Sequence, residues 1–200
     1  PGRGDVLSVF AGQRPLAAAN GDGKSTKEIS RNHKIIVSEH NLLTVTGGKW
    51  TTYRRMAQDT LDKAIELGLL ESRPCRTASF RIHGYRPSPD LSNPRYVYGS
   101  DEPALLTLTA ENEAYAEKLS DKYAYTVAEV VWAVRHEMAR TVEDVLGRRV
   151  RLLFVDAREA SKAAPLVARV MASELGHDDQ WIDRQVAEFQ QLASRYYLDA

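Results

Sequence analysis

Apolar positions along this chain follow two regimes. Up to about residue 50 they form short runs bounded by turn residues: Val6 to Phe10 ending at Gly12, Ile35-Ile36-Val37, and Leu42 to Thr46, with His40-Asn41 between the last two. Short β-branched runs of this kind read as strands. Asn20-Gly-Asp-Gly-Lys-Ser25 reads as a polar loop. From Thr52 onward the period changes. Met56, Ala57, Thr60, Leu61, Ala64 and Ile65 recur on one face and predict a helix from Thr52 to Leu67, stopped at Gly68.

Residues 69–102 contain Pro74, Gly84, Pro87, Pro89, Pro94 and Gly99 and read as a linker, with one short extended segment near Ser79 to Ile82. Helical spacing then returns. One or two short helices are expected in Ala104 to Ala124, with Thr109 as a cap. Thr126-Val-Ala-Glu129 is a capping box, opening a helix that carries Val130, Val131, Val134 and Met138. Thr141-Val-Glu-Asp144 is a weaker version, followed by Val145 and Leu146 on an apolar face and by Gly147 as its end. Ala157 to Leu175 predicts a longer helix that Pro165 kinks or divides. Asp178 opens the last, with Ile182, Val186, Phe189, Leu192 and Ala193 in register. The expected fold is mainly α: a helical C-terminal domain, 103–200, preceded by a short α/β segment, 1–68, and the linker. Three short strands do not make a stable sheet alone, so the chain reads as part of something longer.

Composition narrows the function. With 200 residues, 27 basic and 27 acidic side chains and a net charge of zero, broad electrostatic binding to nucleic acid is disfavoured. The one cysteine, Cys75, rules out an internal disulfide and a multi-cysteine metal site, and reads as a buried or inert thiol. No metal-ligand spacing occurs, since His136 in Arg135-His-Glu137 lacks a second ligand. His33, His40, His83 and His177 are scattered and carry no assignment singly.

The most informative stretch is Leu42-Leu-Thr-Val-Thr-Gly47-Gly48-Lys49-Trp50-Thr51-Thr-Tyr53-Arg54. A strand runs into a double glycine, a lysine follows, and a helix begins. This layout gathers backbone N–H groups, a helix start and a cation, and so suits an anion such as a phosphate. It matches neither a Walker A sequence nor G-x-G-x-x-G. The alternative is a tight turn in which the glycines only relieve strain. Arg14, Arg31 and Lys49 lie on three successive connections. Converging, they would suit a phosphoester; singly, each reads as a solvated surface charge.

Four collinear strings resemble FAD-dependent (aerobic) glycerol-3-phosphate dehydrogenases. They are Asp5-Val-Leu-Ser-Val-Phe-Ala-Gly-Gln-Arg-Pro-Leu16, Thr26-Lys-Glu-Ile-Ser-Arg-Asn-His33, the Thr46-to-Arg54 segment with Ala57, Asp59 and Ala64 beyond it, and Arg135 to Arg149. Asn32 and Gln13 depart from the family pattern. The resemblance implies that Arg14, Arg31 and Lys49 hold the phosphate of glycerol 3-phosphate. It places Gly47, Gly48, Trp50 and Thr51 beside FAD, and residues 1–68 at the end of a flavin and substrate domain. The implied reaction is hydride transfer to flavin, giving dihydroxyacetone phosphate, with quinone as electron acceptor; the catalytic base is unassigned. A homodimer and peripheral contact with the inner face of the cell membrane, from the cytoplasm, are compatible with it. The basic run Arg148-Arg149-Val-Arg151 before Leu152 to Val155 is one membrane-facing option. Two other readings stay open: a non-catalytic helical docking module, and a related oxidase that uses oxygen.

Overall fold

The computed structural model describes residues 2–13 and 32–198. Arg14, Arg31, the Asn20–Ser25 loop and most of the Thr26–His33 string lie outside the described residues. The chain divides into two compact units, one made of Pro1–Ala11 with His83–Ala200 and the other of Gly12–Ile82. The fold is mainly α, with one two-stranded sheet. Among the described residues no helix is long and apolar enough to cross a membrane.

In the smaller unit, β1 (His33–Val37) and β2 (Leu43–Gly47) form an antiparallel hairpin with His33 opposite Gly47 and Val37 opposite Leu43. The turn is closed by Ser38, whose backbone N–H donates to Leu42 O at 3.0 Å and whose Oγ accepts from Leu42 N–H. A short 3-10 turn, Trp50–Thr52, leads into α1 (Tyr53–Glu66). The predicted helix and its stop are present. Leu69 N–H returns to Ala64 O and Gly68 N–H to Ile65 O, both at 2.9 Å, which satisfies the last carbonyls of the helix. Only Ala64 is buried among the hydrophobic residues described in this unit, because one helix on two strands cannot enclose a core.

The larger unit holds the core. Its helices are α2 (Glu102–Glu111), α3 (Val127–His136), the short α4 (Leu152–Val155), α5 (Ala157–Leu175) and α6 (Asp179–Ser194). Val130, Val131, Val142, Val145, Leu146, Leu152, Leu153, Val167 and Met171 are fully enclosed. Small residues on α5 (Ala157, Ala160, Ala164 and Ala168) have no exposed surface and let neighbouring helices approach closely. The helix starts are set by side chains. Glu129 accepts Thr126 N–H at 2.7 Å, Asp156 accepts Glu159 N–H at 3.0 Å, and Asp178 accepts Trp181 N–H at 2.9 Å. Thr141 and Asp144 form their reciprocal pair at 3.1 and 3.0 Å. Trp132 and Trp181 are buried, and Tyr196 and Tyr197 pack against the core, as expected of structural aromatics.

Several expectations are corrected. Val6 to Phe10 is not a strand. Ala157 N–H donates to Leu7 O, Val9 N–H to Tyr196 O, and Ser8 Oγ to Leu153 O, so this segment bonds to helix ends and loops instead. Near Ser79 to Ile82, the turn lies at residues 77–79 and residues 80–82 belong to no β-strand. Thr109 lies inside α2 with its hydroxyl on Leu105 O, while Asn112 caps the following 3-10 turn through Ala114 N–H. Met138 falls beyond α3 with φ 58° and is 78% exposed. Gly147 does not end its helix but sits buried within a π-helical turn, Asp144–Arg149. Pro165 does not divide the helix, since α5 runs through it from Ala157 to Leu175. Residues 94–101 form a 3-10 segment bent at Gly99, not a featureless linker.

Candidate anion-binding turn

The stretch Gly47 to Tyr53 is a strand-to-helix turn, as its sequence predicts. Both glycines have positive φ, 76° at Gly47 and 82° at Gly48, which L side chains seldom adopt. A Cβ on Gly48 would stand 2.6 Å from Met56 Sδ and 3.2 Å from His33 Cβ. The positive φ and the close approach of Met56 and His33 both favour glycine here, whatever the turn binds. Lys49 follows in extended conformation. Its N–H donates to Thr52 Oγ1 at 3.3 Å, and that hydroxyl donates back to Lys49 O at 3.0 Å. The backbone is held while the side chain is exposed; no hydrogen bond or ion pair among the described residues engages the ammonium. Trp50 is 88% exposed, its ring 5.8 Å from that of Tyr53.

Gly47, Gly48, Lys49, Trp50, Thr51, Tyr53 and Met56 line one open cleft of about 620 Å³. Four of the seven predicted site residues, Gly47, Gly48, Trp50 and Thr51, are therefore brought together with Lys49. Its wall is mostly apolar and aromatic, with one cation at the edge. That composition fits the flat, apolar face of a flavin ring and a negatively charged group beside it. Arg14 and Arg31, the other two predicted cations, lie outside the described residues.

Beneath the turn, His33 Nε2 lies 3.1 Å from Asp59 Oδ2, and Arg55 Nε donates to Asp59 Oδ1 at 2.8 Å. The sequence assigns no role to His33. The signal for the pair is the strand register, which sets His33 opposite Gly47 while Asp59 follows on α1, and register is not readable from one sequence. Elsewhere in this unit Cys75 is exposed, not buried. A hydrogen bond with Thr77 at 3.1 Å lowers its thiol pKa, with a smaller contribution from the Arg54 guanidinium.

The charges of the Arg135–Arg149 string serve the fold. Arg135 makes a two-pronged pair with Glu174 at 2.7 and 2.9 Å. Arg140 donates to the carbonyls of Val134 and Ala139, and Arg149 to that of Glu137. Arg148 pairs with Glu143 and Asp144. Leu152 and Leu153, expected as part of a membrane-facing option, are buried in the core. His136 rests on Trp132 with ring centres 4.1 Å apart. Burial raises the Glu129 carboxyl, although it accepts from the Thr126 N–H and from Tyr98 OH at 3.1 Å; burial and that carboxylate in turn raise the Tyr98 hydroxyl.

A family profile described as the C-terminal domain of alpha-glycerophosphate oxidase matches residues 42–182, from β2 and the glycine turn to the first turn of α6. The mitochondrial glycerol-3-phosphate dehydrogenase of Mesocricetus auratus is 35% identical over 98% of this chain and 29% of its own length. That of Bos taurus is 36% identical over 88% of this chain and 27% of its own. The Arabidopsis thaliana mitochondrial enzyme is 33% identical over 86% and 32%. This chain therefore spans roughly three-tenths of the length of these curated relatives. By the extent of the profile match, the chain belongs to the family of the C-terminal domain of alpha-glycerophosphate oxidase.

Proposed function

We propose that this chain is the carboxy-terminal part of an FAD-dependent glycerol-3-phosphate dehydrogenase that oxidises sn-glycerol 3-phosphate to dihydroxyacetone phosphate. The observation that carries the reading is the exposed Lys49 at the rim of an aromatic cleft, its ammonium without a partner among the described residues, on a turn inside the region shared with the family. In this reading Lys49, with Arg14 and Arg31, holds the substrate phosphate; Arg supplies paired donors and Lys a point charge. Gly47 and Gly48 keep the wall of the cleft free of side chains. Trp50 and Tyr53 present aromatic surface that covers the flavin and excludes water, and Thr51 lies at its edge. Bound FAD supplies the hydride acceptor, and quinone at the membrane supplies the final oxidant.

The small unit leaves most of its apolar side chains partly exposed, which supports a place for it against further sheet of the same flavin domain. The helical unit, with its enclosed core and internally paired charges, serves as a rigid support. A second reading, an oxidase that passes its electrons to oxygen, is supported by one observation: the matching profile is described by an alpha-glycerophosphate oxidase.

The test is anaerobic addition of glycerol 3-phosphate to the intact parent enzyme. The visible flavin band is expected to bleach, and a quinone analogue is expected to restore it faster than oxygen. Absence of bleaching, or equal bleaching by unphosphorylated glycerol, would refute the substrate assignment; faster recovery with oxygen would assign an oxidase.

A further inference from the structure

The turn that carries Lys49 rests on a floor built by two other elements. Its two supporting side chains are His33, at the start of β1, and Met56, in the first turns of α1. Their atoms approach the open side of Gly48 so closely that a single added carbon would collide with the Met56 thioether and press on His33. His33 is held in turn by Asp59, and Asp59 by Arg55 one helical turn earlier. The His33 and Asp59 side chains are 21% and 26% exposed, so both remain partly open to solvent. On the other side of the turn, Thr52 fixes the backbone of Lys49 at both its N–H and its carbonyl. The turn is thereby tied to Thr52 and packed against His33, while no described residue engages the ammonium.

We propose that His33 and Asp59 are positioning residues for the anion-binding turn: their contact ties β1 to α1 beneath Gly48 and sets where Lys49 meets a phosphomonoester. The proposal rests on the reading of this turn as the phosphate site. It follows from the order of contacts. Asp59 contacts His33 beneath Gly48 and does not line the cleft, so its removal is expected to shift the turn without touching ligand. A partly exposed carboxylate–imidazole contact adds little to global stability, so the loss is expected in ligand binding and not in melting temperature. Small displacements of a binding group lower catalytic efficiency steeply, by up to about 100-fold for about 1 Å.

The experiment compares the intact dehydrogenase with its Asp59→Asn, Asp59→Glu and Lys49→Ala variants and the Asp59→Asn/Lys49→Ala double variant, using glycerol 3-phosphate and a dye acceptor. Asp59→Asn is expected to raise KM for glycerol 3-phosphate roughly tenfold with kcat within about twofold, because binding of ground and transition states is lost together. KM for the dye, flavin content and Tm are expected to stay unchanged. Asp59→Glu, which keeps the charge facing His33, is expected to recover most of the loss. The double variant is expected to be no worse than Lys49→Ala alone, since both changes disable one contact. An unchanged KM in Asp59→Asn beside a raised KM in Lys49→Ala overturns the positioning role and leaves the phosphate reading standing. Multiplicative losses in the double variant also overturn it. An inert Lys49→Ala removes the phosphate reading and the proposal with it.

Discussion

Replacing Gly99 by alanine is expected to be among the costliest single-atom changes in the helical unit. Gly99 has φ 53° and ψ −122°, a combination outside the regions open to L residues. A Cβ there would lie 1.9 Å from Gly84 O and 2.9 Å from Gly84 C, both backbone atoms that cannot rotate away. Relief requires the 83–84 and 99–100 segments to separate by more than 1 Å, roughly the gap between that approach and ordinary contact. The separation breaks the Ser100 N–H to Gly84 O bond of 3.2 Å. Positive-φ strain of about 1–2 kcal/mol and a lost hydrogen bond of about 1 kcal/mol give a cost of about 2–3 kcal/mol before any repacking. Gly176→Ala is the internal control. It has φ 72° in the same unit, and nothing lies within 4 Å of its Cβ position, so only the strain of about 1 kcal/mol remains. Urea unfolding followed by helical circular dichroism measures both. Equal losses in the two variants would refute the argument from the Gly84 contact.

Three further predictions concern the same unit. Leu146→Ala removes a fully enclosed side chain and is expected to cost about 2–5 kcal/mol in urea unfolding. Gln185 accepts the buried Val142 N–H at 3.0 Å and donates to Glu188 at 2.8 Å, so Gln185→Leu is expected to cost about 1–3 kcal/mol in urea unfolding. Glu159 is held at a pKa of about 2, first by Lys162, then by Ser120 and Lys122. A carboxyl lowered in the folded state stabilises above its unfolded value near 4.5, and the gain fades as pH falls toward 2. Tm of the parent is expected to drop across that window, and Glu159→Gln to flatten the slope; a parallel curve in the variant would contradict the assignment.

Helices with explicit end signals were legible in the sequence. Ala157–Leu175 matches its predicted bounds because an aspartate starts it and a glycine stops it; α1 is predicted to within a residue at each end. The capping boxes at Thr126 and Thr141 are local chemistry and need no tertiary information. What sequence could not supply was pairing. Val6 to Phe10 has a strand's composition, but among the described residues its backbone finds helix ends, not a neighbouring strand. Met138 continues the helical spacing of α3, yet Ala139 N–H bonds back to Ala133 O and throws the methionine outward. The glycine turn was readable as a motif, while its floor was not: His33 and Asp59 are 26 positions apart and meet only through the hairpin register and the packing of α1.

The claim at the centre of this account is that Lys49 holds the phosphate of the substrate. The direct measurement is steady-state oxidation of glycerol 3-phosphate, with a dye acceptor, by the intact enzyme carrying Lys49→Ala and, separately, Arg14→Ala. A charge-assisted contact contributes about 1.5–3 kcal/mol, so each variant is expected to lose roughly 10- to 150-fold in kcat/KM with its flavin still bound. Kinetics equal to those of the parent would contradict the account and make Lys49 a surface charge.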